Sequence, residues 1–360
     1  MMAITVIHCA DLHFDSPFSG LDSAHKAEIR REELRQVFGR ITNLVRTENA
    51  DVLIISGDLF DSSAVSSHTL RYIKEKLSQI SDIPVFIAAG NHDFNASGSF
   101  YRVFDFGENV HIFSDKIEKI ECKGFNIYGA SFTGQEEANS KLSGFCVENS
   151  EQINIMAMHA DIGGVYNPIT KQEIQDSGLD YLALGHIHMF SDKMQFGKTS
   201  AVYPGCPEGR GFDELGPKGV VKAVIDKNSV DIEFVPLAKR IYHEITVDVS
   251  GAESYETLCG RILLAMKGSP DDLYKIVLVG EAEFYIQPSV ILASLHCFSA
   301  KIKDETRAKL NLKELSEEYS LKGLFVNELL NQDKECDNEL LKQALSYGLE
   351  ALSGEKVKLP

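Results

Sequence analysis

The sequence predicts an α/β fold: two packed mixed β-sheets flanked by helices, then a smaller α+β domain and a helical C-terminal region. Three observations carry this expectation. Over the first hundred residues, apolar β-branched runs alternate with amphipathic helical stretches, the pattern of βαβ units. From about residue 110, strands follow one another across short turns, which adds a second sheet. Beyond residue 310, apolar residues recur at helical spacing.

Residues 3–8 form the first buried strand. Residues 26–48 are helical, with Ile29, Leu34, Val37, Ile41, Leu44 and Val45 on one face. Residues 51–56 make the second strand, 67–80 a second helix capped by Ser66 or Ser67, and 84–89 the third strand. Fully apolar strands joined by helices belong to a mostly parallel sheet. Further strands are expected at 110–113, 116–122, 124–130, 153–158, 181–185, 194–197, 199–203, 219–226 and 230–235. Lys123-Gly124 and Lys227-Asn228 supply hairpin turns. A break near Pro236 and Arg240 ends the first domain, 1–238. Strand 242–249, helix 253–267 and strand 273–280 fall in a second domain, 239–305, with a helix at 289–296. The third segment, 306–360, is helical from 312 and again over 337–352.

The formal charge of −17 opposes non-specific nucleic-acid binding, although bound cations would neutralise part of it locally. No stretch approaches 18 uninterrupted apolar residues, so no membrane span is expected. The N-terminus runs directly into a strand without the features of a leader, which predicts a cytoplasmic protein. Seven dispersed cysteines, none at CxxC spacing, read as reduced thiols. Cys9 reads as a small buried residue.

Five polar clusters sit where buried strands end: Asp11-Leu12-His13, Gly57-Asp58-Leu59-Phe60-Asp61, Gly90-Asn91-His92-Asp93, Met158-His159 and Gly185-His186-Ile187-His188. In α/β folds, sites form beyond the carboxyl ends of strands, so the five should meet at one edge. A lone His is usually structural; five clusters at five strand ends are a ligand set for two divalent cations. Carboxylate, amide and imidazole donors without thiolate suit manganese, iron or zinc. Two such ions would clamp the attacking and leaving oxygens of a phosphoryl group, with an acidified water as nucleophile.

The clusters, in this order, resemble the calcineurin-like metallophosphoesterases, whose pattern is D-x-H, G-D-x-x-[DH], G-N-H-[DE], a single His and G-H-x-H. Residues 1–235 carry all of it. Within that superfamily, His8-Cys9-Ala10-Asp11-Leu12-His13 with Asp15-Ser16-Pro17-Phe18 resembles the SbcD-type DNA repair nucleases. Tyr203-Pro204-Gly205-Cys206-Pro207-Glu208-Gly209-Arg210 is similar to their YhaO-like bacterial branch. The resemblance implies a four-layer sandwich with 239–305 as a capping domain. It implies one cation on Asp11, His13 and His188, a second on Asn91, His159 and His186, and Asp58 bridging both. His92 would protonate the leaving oxygen, oriented by the Asp61 carboxylate. Asp93 reads as a turn former or supporting residue. Arg210 reads either as a phosphate contact or as a surface arginine. The activity implied is a manganese-dependent DNA nuclease subunit, exonucleolytic and also endonucleolytic, working with an SbcC-type coiled-coil ATPase and tending to dimerise. Two alternatives stay open: a small-molecule phosphodiesterase or phosphatase, which the acidic charge favours, and a scaffold for an ATPase.

Overall fold

The computed structural model describes residues 3–62, 65–309, 312–332 and 339–352. The elements run β1 (Ile4–Cys9), α1 (Ala24–Thr47), β2 (Val52–Ser56), α2 (Ser67–Ser78), β3 (Val85–Ala88), α3 (Phe100–Val103), β4 (Val110–Ile112), β5 (Glu118–Cys122), β6 (Phe125–Ala130) and β7 (Ile153–His159). Next come β8 (Asp161–Ile162), β9 (Pro168–Ile169), α4 (Lys171–Ser177), β10 (Tyr181–Gly185), β11 (Met194–Phe196), β12 (Thr199–Val202), β13 (Gly219–Ile225) and β14 (Val230–Pro236).

Two six-stranded mixed sheets result, one ordered β14-β13-β1-β2-β3-β4 and the other β11-β12-β10-β7-β6-β5. Their central strands β1, β2 and β3, and likewise β6, β7 and β10, pair in parallel. Strand periodicity of two divides the apolar side chains between layers. On β2, Leu53 and Ile55 face α1 and α2, where Leu34, Phe38, Ile41 and Ile73 are buried. Val52 and Ile54 face the other way, into a core shared with Ile153, Ile155 and Ala157 of β7 and Tyr181 and Ala183 of β10. The alternate residues Met156, Met158, Leu182 and Leu184 pack beneath α4 through Ile174. The expected arrangement, helices outside two packed sheets, is therefore observed. Ile155→Ala empties part of the inter-sheet core, where Ile155 is fully buried. Urea unfolding should register a loss of about 2–5 kcal/mol.

Helix starts follow local chemistry. Ser23 accepts from Lys26 N at 3.2 Å and Ser66 from Thr69 N at 3.1 Å, satisfying free amides of the first turns. Helix α4 was not expected; its signal was the capping box of Thr170 and Glu173. The parallel pairing of β7 with β10 requires a crossover of this kind.

The chain divides into two compact units, each described by itself. The first comprises Met1–Ile245, Lys267–Lys275 and His296–Lys301; the second comprises Thr246–Met266, Ile276–Leu295 and Ile302–Pro360. Strands β15 (Tyr242–Asp248), β16 (Leu273–Val279) and β18 (Ser299–Asp304) form a three-stranded sheet, and β17 (Glu281–Ala282) pairs with β19 (Arg307–Ala308). Helices α5 (Tyr255–Ala265) and α6 (Pro288–Ser294) pack together within the second unit. There too, α7 (Leu312–Glu317), α8 (Leu321–Gln332) and α9 (Glu339–Leu352) bury Val326, Leu345 and Leu349 against Leu315, Phe325 and Leu329. The expected helix start at 337 lies outside the described residues. No described helix is long and apolar enough to cross a membrane.

Candidate metal centre

The strand register aligns the ends that carry the clusters. Ser56 pairs with Ala88, Cys9 with Ile55 and His159 with Gly185. Beyond the ends, the loops are stitched together: Asp11 N donates to Gly57 O at 3.0 Å and His13 N to Asp58 O at 2.9 Å. Asp11, His13, Asp58 and His186 all take positive φ, a region that side chains other than glycine seldom occupy. Strain gathered at one edge is typical of a working site. Glycine is required where the loops touch. A Cβ on Gly90 would meet Asp58 Oδ1 at 2.2 Å, and one on Gly185 would meet Ser56 O at 1.8 Å.

Among the described residues, three overlapping groups could each hold a cation: Asp11, His13 and His188; His13, Asp58 and His92; Asp11, Asp58 and His159. Asn91 joins them, its Oδ1 3.0 Å from His159 Nε2. His186 stands in none of the three groups; its ring lies 5.2 Å from that of His159 and its N–H donates to the Asp11 carboxylate at 3.1 Å. The described structure thus brings six of the seven expected ligands to one point and sets His186 at its margin. Asp11, His13, Asp58 and His159 are buried, whereas His92 is exposed.

The side chains behind the imidazoles set which nitrogen faces the centre. His159 Nδ1 bonds Ser56 O at 2.9 Å, and His188 Nδ1 bonds Glu214 Oε1 at 2.8 Å. Each Nε2 is then a free acceptor turned inward, the arrangement that metal-binding histidines show. His13 Nε2 and His188 Nε2 face each other at 3.3 Å, with Asp58 Oδ2 3.7 Å from the first and Asp11 Oδ1 3.9 Å from the second. Acceptors opposed at such distances repel unless a cation sits among them. Burial pushes the Asp11 carboxyl up to about 7, against the pull of His188, and it raises Asp58 too, against the pull of His92. Burial also lowers His159 and His186 to about 4 and holds His13 well below its ordinary value. Neutral imidazoles beside costly buried carboxylates are what divalent ions bind and stabilise. The residues therefore fit two cations. Cys9 is no part of the set: its buried Sγ contacts Ile54 O at 3.6 Å.

His92 and Asp61 differ from expectation. His92 Nδ1 bonds the backbone carbonyl of Asp61 at 3.0 Å, not its carboxylate. The Asp61 carboxylate instead accepts from Arg210 Nη1 at 3.1 Å and lies 3.3 Å from His13 Nδ1. The reason is competition: the partly buried Arg210 guanidinium takes that carboxylate, and the carbonyl is left for His92. Arg210 is partly buried and paired with acids rather than lying free at the surface. Its Nη2 also donates to Glu214 Oε1 at 2.7 Å.

Sequence reasoning missed Glu214. Burial raises this carboxyl, but His188 and Arg210 together draw it well below the usual range. His188 responds in kind: burial lowers it, yet Glu214 and Asp11 leave it raised overall. The only signal was an acid four residues after Arg210 in a glycine-rich loop. That loop is anchored again by Glu208, fully buried and bonded to Arg30 Nη2 at 2.7 Å. Glu214→Ala is expected to weaken divalent-cation binding about 10–100-fold at the His188 side. Calorimetric titration should show one of two binding steps shifted.

Residues 4–190 match the calcineurin-like phosphoesterase family. The chain is 29% identical over 302 residues to the uncharacterized metallophosphoesterase YhaO of Bacillus subtilis, covering 78% of this chain and 72% of that one. It is 25% identical over 285 residues to the DNA double-strand break repair protein Mre11 of Methanopyrus kandleri, covering 71% of this chain and 61% of that one. A solved dimetal phosphatase from Danio rerio is similar at 12% identity and a TM-score of 0.43, over 65% of this chain and 96% of that one. The family match covers more than half of the chain and contains every expected ligand, so this protein belongs to the calcineurin-like phosphoesterases.

Proposed function

We propose that the protein is a manganese-dependent DNA nuclease subunit of the SbcD type, hydrolysing phosphodiester bonds in DNA repair. The observation that carries the reading is the likeness to the archaeal break-repair protein. It runs over 285 residues, well past the family's residues 4–190, around a cluster that fits two cations. Asp11, His13 and His188 would hold one ion and Asn91 and His159, with His186 at the margin, the other, and Asp58 would supply a further carboxylate. When bound, the ions polarise the phosphoryl group and acidify the attacking water. His92, held through Nδ1 by the Asp61 carbonyl, presents Nε2 to the cleft. As an imidazolium it passes that proton to the leaving oxygen as the P–O bond breaks. The partner is an SbcC-type ATPase, the working form a homodimer, and the location the cytoplasm.

A second reading, a small-molecule phosphodiesterase or phosphatase, is favoured by the net charge of −17. End-labelled linear DNA and an aryl phosphodiester, each incubated with manganese, separate the two. The nuclease reading expects shortened DNA products. Turnover of the aryl ester with intact DNA would reject it.

A further inference from the structure

A recess lined by Phe60, Phe94, Phe100 and Tyr101 opens beside His92. His92 and Phe94 also line the cleft bordered by Asp61, Asn91 and Tyr166, so the two spaces share a wall. We propose that the recess is a subsite for the base of a nucleotide adjoining the scissile phosphate. The proposal deepens the nuclease reading and rests on it.

The occupant follows from the walls. Phe94 and Phe100 are half-exposed and offer their π-faces beside the His92 imidazole, with Phe60 and Tyr101 buried behind them, which suits a flat, uncharged ring. Stacking of this kind accepts any base, as a nuclease without sequence preference needs. Position follows from the shared wall, because His92 and Phe94 line both the recess and the cleft. A substituent on the ester oxygen that His92 faces is carried towards Phe94.

Asp93 makes the recess a built feature. Its carboxylate accepts from Tyr101 Oη at 2.6 Å, Gly90 N at 2.7 Å and Phe60 N at 3.1 Å. One buried group therefore fixes two of the aromatic walls and the turn that carries His92. The Phe60 ring stands 5.8 Å from that of Tyr101 and 6.3 Å from that of Phe100, continuous with the core beneath.

The test uses end-labelled DNA oligonucleotides with manganese. The first cleavable linkage is flanked either by normal nucleotides or by an abasic tetrahydrofuran residue on one side or the other. Wild type should cut the normal linkage about tenfold faster in kcat/KM than one abasic counterpart. Phe94→Ala should bring that ratio to about one, and Phe94→Tyr, which keeps the ring, should retain it. The ratio is internal to each preparation, so any loss of folded enzyme cancels. Equal wild-type rates, or an unchanged ratio in Phe94→Ala, would overturn the subsite while DNA cleavage stands. Hydrolysis of bis(p-nitrophenyl) phosphate with no cleavage of any oligonucleotide would remove both the subsite and the nuclease reading.

Discussion

Asp58→Asn should abolish manganese uptake and turnover together, yet leave the metal-free protein at least as stable as wild type. Asp58 belongs to two of the three ligand groups, and its Oδ2 lies 3.5 Å from His159 Nε2 and 3.7 Å from His13 Nε2. Removing a supporting residue costs roughly 10–100-fold in metal affinity, and losing a carboxylate shared between two sites should exceed that. The stability claim comes from the buried charge. Burial raises the Asp58 carboxyl, so its ionised form costs folding energy when no cation is bound. Asn keeps the shape and still accepts from His92 N, a contact now 3.0 Å long. Melting curves with and without manganese decide the matter. Wild type should gain stability with the ion by mass action, and Asp58→Asn should gain almost none. Two tightly bound ions in the variant would refute the assignment.

His92→Ala should have the opposite profile: both ions retained, turnover on DNA lowered about 10²–10⁴-fold. His92 is exposed and bonds only the Asp61 carbonyl through its ring, so the fold should lose no more than about 0.5 kcal/mol. The deficit should depend on the leaving group. An alkoxide needs a proton as the bond breaks, whereas p-nitrophenolate leaves without one. The aryl diester should therefore suffer less than DNA, and kinetics on the two substrates give the contrast directly. A variant with near-wild-type rates on DNA would end the case for His92 as the acid.

The ligand cluster was legible because polar residues closing apolar strands have few structural uses, and five of them in order point to one edge. The sheet layers were legible for a related reason: buried parallel strands such as Val52–Ser56 are apolar up to their last residue. Long-range polar pairing was not legible. Glu214 lies 26 residues from His188 and Arg210 lies 149 from Asp61, and nothing in their spacing announces either pair. Nor could the sequence tell a carbonyl from a carboxylate at Asp61, because that choice depends on which neighbours compete for the side chain. Strand β18 was missed because Ser299–Asp304 is short and half-exposed, with a weak apolar signal. The positive φ at Asp11, His13, Asp58 and His186 is imposed by loop closure; Asp and His tolerate it better than most residues, but the sequence does not say which of them adopt it.

Asp11, Asp58 and Asn91 follow strands of one sheet, whereas His159, His186 and His188 follow strands of the other. The apolar filling between the sheets is therefore a ruler for the separation of these two sets of donors. Swapping Ile155 for a bulkier or slimmer neighbour would stretch or shrink that gauge and retune which ion the protein prefers, with every ligand left intact. Selection on ion choice would then be written in hydrocarbon, several layers away from any coordinating atom.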